Sequence, residues 1–380
     1  MSWPVHPLSE ICDISMGQAP VGSSYNRNDD GYALIAGAGD FGDFTPTPKK
    51  FSSAPTKISI VNDLILCIRA TIGELNWSDK EYCLGRGVAG LRPDKALLNR
   101  DYLWYYIKAN KSQLSEKGTG STFKQVSKAI IGEWEIPLPP LPEQKRIAAI
   151  LDKADGIRRK RQQAIDLADE FLLATFLDMF GDPFNNIMGF PKMRLDSFGS
   201  VFTGNTPSRS EKKYYGDYID WIKSNNIHES SLYVSRAKEF LSAEGAAIGR
   251  TVPSGSILVT CIAGSRDSIG NIALTDRPVA FNQQINALVP NDTDKTLFIY
   301  QQLNLHKELV RERAIGVTTG QVNKTTFSSI ELLDPPEEMV VDFTRRISQL
   351  NMLFPQFKDS TRGINECFNS LQHKAFAGEL

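Results

Sequence analysis

The chain has 380 residues, 41% of them hydrophobic and 23% charged, with a net charge of −1. That is the composition of an ordinary globular protein long enough for two or three domains. No apolar run reaches the ~18–20 residues a bilayer span needs. The opening residues, Met1-Ser2-Trp3-Pro4-Val5-His6-Pro7-Leu8, lack the basic and apolar segments of a secretion signal, so a cytoplasmic protein with no membrane partner is expected. Cys12, Cys67, Cys83, Cys261 and Cys367 are scattered, form no C-x-x-C pair and are joined by only four histidines, which argues against a metal site or a disulfide framework. Near-neutral charge gives no hint of a polyanionic partner, but one basic face suffices for such a partner when the acids lie elsewhere.

In chain order, residues 1–140 mix short β-rich runs with turn clusters. Lys57-Ile58-Ser59-Ile60-Val61 stops at Asn62-Asp63, and 101–108 has a helical pattern. After Pro139-Pro140-Leu141-Pro142 a segment free of breakers runs from Glu143 to about Phe180 and stops at Gly181-Asp182-Pro183. Proline at the start and glycine then proline at the end are helix punctuation. Residues 184–335 return to β-rich runs, such as Ser256-Ile257-Leu258-Val259-Thr260-Cys261-Ile262 after Gly255, with a helical pattern at 297–303. A second long segment runs from Pro335-Pro336 to the end.

The two halves repeat each other. Leu8-Ser9-Glu10-Ile11 with Met16-Gly17 and Pro20 parallels Leu195-Asp196-Ser197-Phe198 with Thr203-Gly204 and Pro207. Ile65-Leu66 and Ile72-Gly73 parallel Ile257-Leu258 and Ile269-Gly270; Gly87-Val88 to Pro93 parallels Gln284-Ile285 to Pro290. The stretches Gly120–Lys128 and Gly316–Lys324 match, as do Glu135-Ile136 with Pro139-Pro140 and Glu331-Leu332 with Pro335-Pro336. An ordered series of matches with a slowly drifting offset is the signature of a duplication with loop insertions. The sequence therefore predicts an α+β protein: two pseudo-repeated globular domains, 1–140 and 184–335, alternating with long helices over 141–183 and 336–380.

In the second helix Phe343, Ile347, Leu350, Phe354, Phe357, Thr361, Ile364, Phe368, Leu371 and Ala375 follow a 4-3 spacing. The first helix has the weaker stripe Ile147, Leu151, Ala154, Arg158, Arg161, Ile165, Ala168, Leu172, Thr175 and Met179. A helix of about 40 residues spans roughly 60 Å, too long for a globular core, so the apolar members are expected to form a coiled-coil pair. Pro355 is expected to kink or interrupt the second helix.

Catalytic chemistry finds no support. Asp334-Pro335-Pro336-Glu337 is similar to the D-P-P-Y motif with which amino-methyltransferases hold a flipped base. However, Glu337 replaces the stacking aromatic, and the counterpart Leu138-Pro139-Pro140-Leu141 has no acid. No glycine-rich loop for a nucleoside cofactor and no phosphate-binding loop is present. Asp220-Trp221-Ile222-Lys223 and Asp94-Lys95 are the nearest fragments of a metal nuclease, and neither recurs in the other repeat. The four histidines, His6, His228, His306 and His373, stand apart.

Binding chemistry remains. Basic and amide side chains in Gly/Ser/Thr-rich loops are candidate DNA contacts: Arg69, Arg86, Lys124, Gln125 and Lys128 in the first domain, and Lys212, Lys213, Arg266, Gln283, Gln284, Gln321 and Lys324 in the second. Arg and Lys suit guanine or phosphate, and Gln suits adenine. Aromatic neighbours occur at Tyr25-Asn26-Arg27 and Tyr214-Tyr215. Each residue taken singly also suits a solvated surface. The basic helical run from Lys145-Arg146 to Arg158-Arg159-Lys160-Arg161 fits a solvated face, an acidic partner or phosphates.

The stretch Ile136-Pro137-Leu138-Pro139-Pro140-Leu141-Pro142-Glu143-Gln144-Lys145-Arg146-Ile147 resembles the specificity subunits of type I restriction–modification systems. So do the helix end Phe180-Gly181-Asp182-Pro183 and the C-terminal Leu371–Leu380 run. The resemblance covers the whole chain. It departs at the second domain's exit, Leu333–Met339, which lacks the Glu-Gln-Lys run, so contacts of that run are expected to be asymmetric. The resemblance implies two target-recognition domains separated by two antiparallel coiled-coil helices, each domain reading one half of a split, asymmetric target in double-stranded DNA. It also implies docking of two modification (methyltransferase) subunits and joining by motor-nuclease restriction subunits. S-adenosylmethionine is expected on those partners, with no cofactor, metal or catalysis in this chain. A stand-alone or bifunctional DNA methyltransferase or restriction enzyme is the alternative, and a two-domain scaffold a third.

Overall fold

The structure, a computed structural model, describes residues 3–120, 124–228, 231–316 and 320–380, the side chains of 348–362 excepted. The chain divides into two compact units, 1–162 with 360–380, and 163–359. Four helices organise them: α1 (Arg100–Glu116), α2 (Leu141–Phe180), α3 (Thr296–Leu305) and α4 (Glu337–Ala377). The division falls inside both long helices, so each unit owns one part of α2 and one part of α4.

In the first unit an antiparallel sheet runs in the order Cys12–Met16, Val88–Pro93, Leu64–Cys67, Leu75–Trp77. Its central strand is apolar throughout and serves two cores, because alternate side chains leave a strand on opposite faces. Leu64 and Leu66 join Tyr102, Leu103 and Ile107 of α1, while Ile65 joins Ala33, Ile35, Tyr82 and Leu84 beneath a second sheet. That second sheet orders Tyr25–Asn26, Phe51–Ser52, Tyr32–Ile35 and Cys83–Leu84, the last pair parallel. A ribbon of Val5–Pro7 and Glu135–Pro137 sets the start of the domain beside its exit.

The second unit repeats this plan. Its first sheet orders Gly199–Thr203, Ile285–Pro290, Ile257–Thr260 and Ile272–Leu274. Ile257 and Val259 again face one core and Leu258 the other. The second sheet contains the parallel pair Ile219–Ile222 and Val279–Phe281, and the ribbon is Lys192–Arg194 with Glu331–Leu333.

Within the first unit the two long-helix segments run antiparallel. Arg146 of α2 donates to the Leu380 carbonyl at 2.9 Å, and Arg158, further along α2, lies 5.1 Å over the earlier ring of Phe368. Ile147, Leu151 and Phe368 are buried there, with Leu371 packed alongside and Ile364 half-buried. In the second unit Phe343, near the start of α4, meets Phe176 and Phe180 at the end of α2, with ring centroids 5.8 and 5.5 Å away. Leu172 and Ile347 are buried in the same core, and Ile165 is half-buried. Phe176 and Phe180 lie one step off the stripe read from the sequence. A straight helix drifts relative to a strict seven-residue repeat, and this end of α2 also packs on Phe298 of α3. Leu350, Phe354, Phe357 and Pro355 lie within 348–362, outside the described residues.

The helix-start run works asymmetrically. Gln144 is fully buried. Its Oε1 accepts from Asn99 N at 2.7 Å, and its Nε2 donates to the Leu97 and Pro139 carbonyls at 2.9 and 2.8 Å. It thereby ties the α2 start to the cap of α1. In the second unit Gln302 of α3 instead exchanges bonds with the backbone of Leu333, 2.6 Å to N–H and 3.2 Å to the carbonyl. No helix among the described residues is long and apolar enough to cross a membrane.

Candidate nucleic-acid interface

Both units build one turn from the same backbone bonds. In the first, Cys83–Leu84 passes through Gly85-Arg86-Gly87 into Val88–Pro93. Gly85 N donates to the Ile35 carbonyl at 2.8 Å and Val88 N to that of Gly85 at 3.2 Å. Gly17 N reaches the Val88 carbonyl at 2.9 Å and Gln18 N that of Leu84 at 2.8 Å. In the second, the turn is Asn282-Gln283-Gln284. The matching bonds run from Asn282 N to Ile222 O (3.0 Å), Ile285 N to Asn282 O (3.1 Å), Gly204 N to Ile285 O (3.1 Å) and Asn205 N to Phe281 O (3.1 Å). A Cβ at Gly17 or Gly204 would collide with the carbonyl of Gly85 or of Asn282. Only glycine lets the backbones approach so closely, which is why Met16-Gly17 and Thr203-Gly204 recur.

Arg86 is exposed at the tip of the first turn. On one side it shares a groove of about 690 Å³ with Tyr25, Asn26, Arg27 and Lys50. On the other it shares a groove of about 500 Å³ with Arg69 and the Gly37–Gly39 loop. Neither groove is lined by a carboxylate among the described residues. Among the described residues Arg27, Lys50, Arg69 and Arg86 form no ion pair, and the buried Nε of Arg69 has no hydrogen-bond partner. Cations gathered in a concave surface without ion-pair partners concentrate a positive potential there. The backbone of Arg69 also bridges to Gln125, which exchanges two 2.9 Å bonds with Thr119.

The second unit places different side chains on the same frame. Strand register makes Trp221 the counterpart of Leu34, Lys223 of Ala36, Glu239 of Lys50 and Gln283 of Arg86. Glu239 pairs with Lys223 and, at 2.8 Å, with Arg209. The Lys223 hydrogen bond, joined by that of Arg209, holds its carboxyl below the usual carboxylate range. The Arg209 guanidinium lies 5.2 Å over both Tyr215 and Trp221, and Lys223 lies 4.7 Å over Trp221. Here the cations are neutralised and stacked. Gln283 is exposed, and its Oε1 takes the Thr206 hydroxyl. Gln284 is half-buried, and its Oε1 accepts from Asn282 Nδ2 at 2.8 Å and Ser224 Oγ at 3.2 Å.

The other sequence-selected residues are dispersed. Lys124, Gln125, Lys212, Arg266 and Gln321 are exposed, and Lys213 sits 3.5 Å from Glu244. Lys128 lines a separate depression with Glu10, Asp13, Arg92 and Asp94. Lys324 lies 6.0 Å over the Phe202 ring. In the basic run of α2, Arg158 and Arg159 both bond the buried Asp155, at 2.6 and 3.2 Å. Their guanidiniums cover Phe368 and Phe44. Lys50 was missed; the only sequence signal is its place before Phe51, matching Glu239 before Phe240.

Asp220, the nuclease-like fragment, is buried and clamped by Arg277 at 2.9 and 3.1 Å, Arg236 at 2.9 Å and Ala237 N at 2.8 Å. Burial pushes its pKa up, but the Arg277 and backbone hydrogen bonds outweigh it and leave the group below the ordinary range. Among the described residues no cluster of three His, Cys, Asp or Glu side chains could hold a metal ion.

The family model described as the type I restriction modification DNA specificity domain matches this chain twice, over residues 2–167 and 189–347. The MjaX type I restriction enzyme specificity subunit of Methanocaldococcus jannaschii is 34% identical over 167 residues, 43% of this chain and 39% of that protein. The HindI specificity subunit of Haemophilus influenzae is 32% identical over 164 residues, 42% of this chain and 35% of that one. The matched stretches thus span 39% and 35% of those relatives' lengths. A crystal structure of a type I restriction–modification S subunit from M. genitalium shares the fold, with a TM-score of 0.69 over 99% of this chain and 96% of that one at 14% identity. With two copies of the domain covering most of its length, the chain belongs to the family of type I restriction–modification DNA specificity subunits.

Proposed function

We propose that this protein is the non-catalytic DNA-recognition subunit of a cytoplasmic type I restriction–modification complex, each unit reading one half of a bipartite, asymmetric duplex target. The observation that carries the reading is the carboxylate-free cluster of Arg27, Lys50, Arg69 and Arg86 around the first-unit turn. Phosphates are the dominant source of affinity for DNA-binding surfaces, and unpaired cations are what they meet. A different side-chain set on the same frame in the second unit suits half-sites of different sequence.

Modification subunits carrying S-adenosylmethionine dock on the long helices, two per chain, and a motor-nuclease joins for cleavage. Leu167, Phe171 and Leu177 support this, since they are 64%, 50% and 40% exposed on α2, and exposed apolar groups on a helix mark partner surfaces. The test is methylome sequencing of a host with and without the gene. A single split motif that vanishes with the gene is expected. Methylation of DNA by the purified chain alone with S-adenosylmethionine would overturn the reading.

A further inference from the structure

Resting on that reading, we infer that Arg86 and Gln283 are the paired base-reading residues of the two units, Arg86 selecting guanine and Gln283 selecting adenine. They hold one backbone position, fixed in both units by the four matching hydrogen bonds of the turn. Neighbouring side chains cannot compete for the role. Gly85 and Gly87 have none, while Asn282 is buried and Gln284 is tied to Asn282 and Ser224. At each tip a single exposed polar side chain therefore projects from a rigid base, the condition under which a side chain discriminates between base edges.

The chemistry differs in the way an asymmetric target requires. The planar fork of an arginine matches the two major-groove acceptors of guanine, whereas a glutamine amide matches the donor and acceptor of adenine. Arg86 has no carboxylate in either flanking groove to occupy its fork. Gln283 is oriented by the Thr206 hydroxyl on Oε1, which leaves a second lone pair and both amide hydrogens free.

The test uses the full chain in complex with its modification subunits and selection from a randomised duplex DNA library. In Arg86→Gln one guanine of one half-site is expected to become adenine, with the original site bound about ten- to a hundredfold more weakly and the other half-site unchanged. Gln283→Arg is expected to do the converse in the other half-site. Arg86→Lys keeps the charge but not the planar fork, so it is expected to weaken the guanine preference while keeping the salt dependence. An unchanged motif with uniformly weaker binding would show that Arg86 meets only the phosphate backbone and overturn the inference, as would no change at all. A wild-type complex that selects no motif would instead defeat the functional reading beneath it.

Discussion

Lys50 and Glu239 occupy the same backbone position in the two units. The Lys50 carbonyl accepts from Leu34 N at 2.8 Å and the Glu239 carbonyl from Trp221 N at 3.1 Å, each just ahead of its short strand, Phe51–Ser52 or Phe240–Leu241. One duplicated site thus carries opposite charges. The lysine adds to an unneutralised cluster, whereas the glutamate quenches Lys223 and Arg209.

The first unit is therefore expected to supply most of the salt-dependent affinity. Each lost phosphate contact lowers the slope of log affinity against log salt by about 0.9, so Lys50→Gln should flatten it by roughly that amount. Glu239→Gln releases two cations and should steepen it. Fluorescence anisotropy on a duplex at several salt concentrations measures both, and a slope indifferent to Lys50→Gln would remove the cluster from the interface.

Phe180 has no exposed surface and meets Phe176, Phe298 and Phe343 at 5.1, 4.9 and 5.5 Å between ring centroids. Phe180→Ala should destabilise the second unit by about 3–5 kcal/mol, the cost of emptying an aromatic site in a packed core. Denaturant unfolding of the variant would check this, with Leu167→Ser as a surface control expected within about 0.5 kcal/mol of the parent.

Asp169 should make stability fall as pH rises. Burial, aided by the nearby Asp166, pushes its pKa up to about 6, above the roughly 3.9 of an unfolded aspartate. A group raised on folding contributes fully below the unfolded value and loses that contribution as pH climbs through the folded one. Asp169→Asn should thus raise the melting temperature at about pH 7.5 and give no gain near pH 4. Equal effects at both would refute the assignment.

Leu167→Asp combined with Phe171→Ser should leave the melting temperature unchanged and reduce co-purification of the modification subunits. Both side chains are at least half exposed, so their loss removes little packing within this chain. Undiminished complex on size-exclusion chromatography would place the docking surface elsewhere.

Local rules account for what was legible. The repeat, the long helices between Pro140 and Gly181 and from Pro336 onward, and the recurring Gly17 and Gly204 all follow from periodicity, caps and close backbone approach, which operate over a few residues. Arg69 and Arg86 were legible as candidates, being basic residues in repeated loops. Their neighbour Lys50 was not, because it joins them only through strand pairing. The seam is wider than the stripe at Phe176 and Phe180 for a similar reason: they join Thr175 and Met179 in a core that also takes Phe298 of another element, which a heptad rule written for two helices alone does not anticipate.

By itself the sequence determined a duplicated α+β chain with two long helices and a family likeness, since those features are encoded in spacing and in residue type. Only the tertiary structure decided which cations are available. Arg158 and Arg159 are held by Asp155, and Lys223 and Arg209 by Glu239, while among the described residues Arg27, Lys50, Arg69 and Arg86 form no ion pair. Whether a charge is free depends on which counter-charge the fold brings beside it, and Coulomb attraction acts through space without regard to position along the chain.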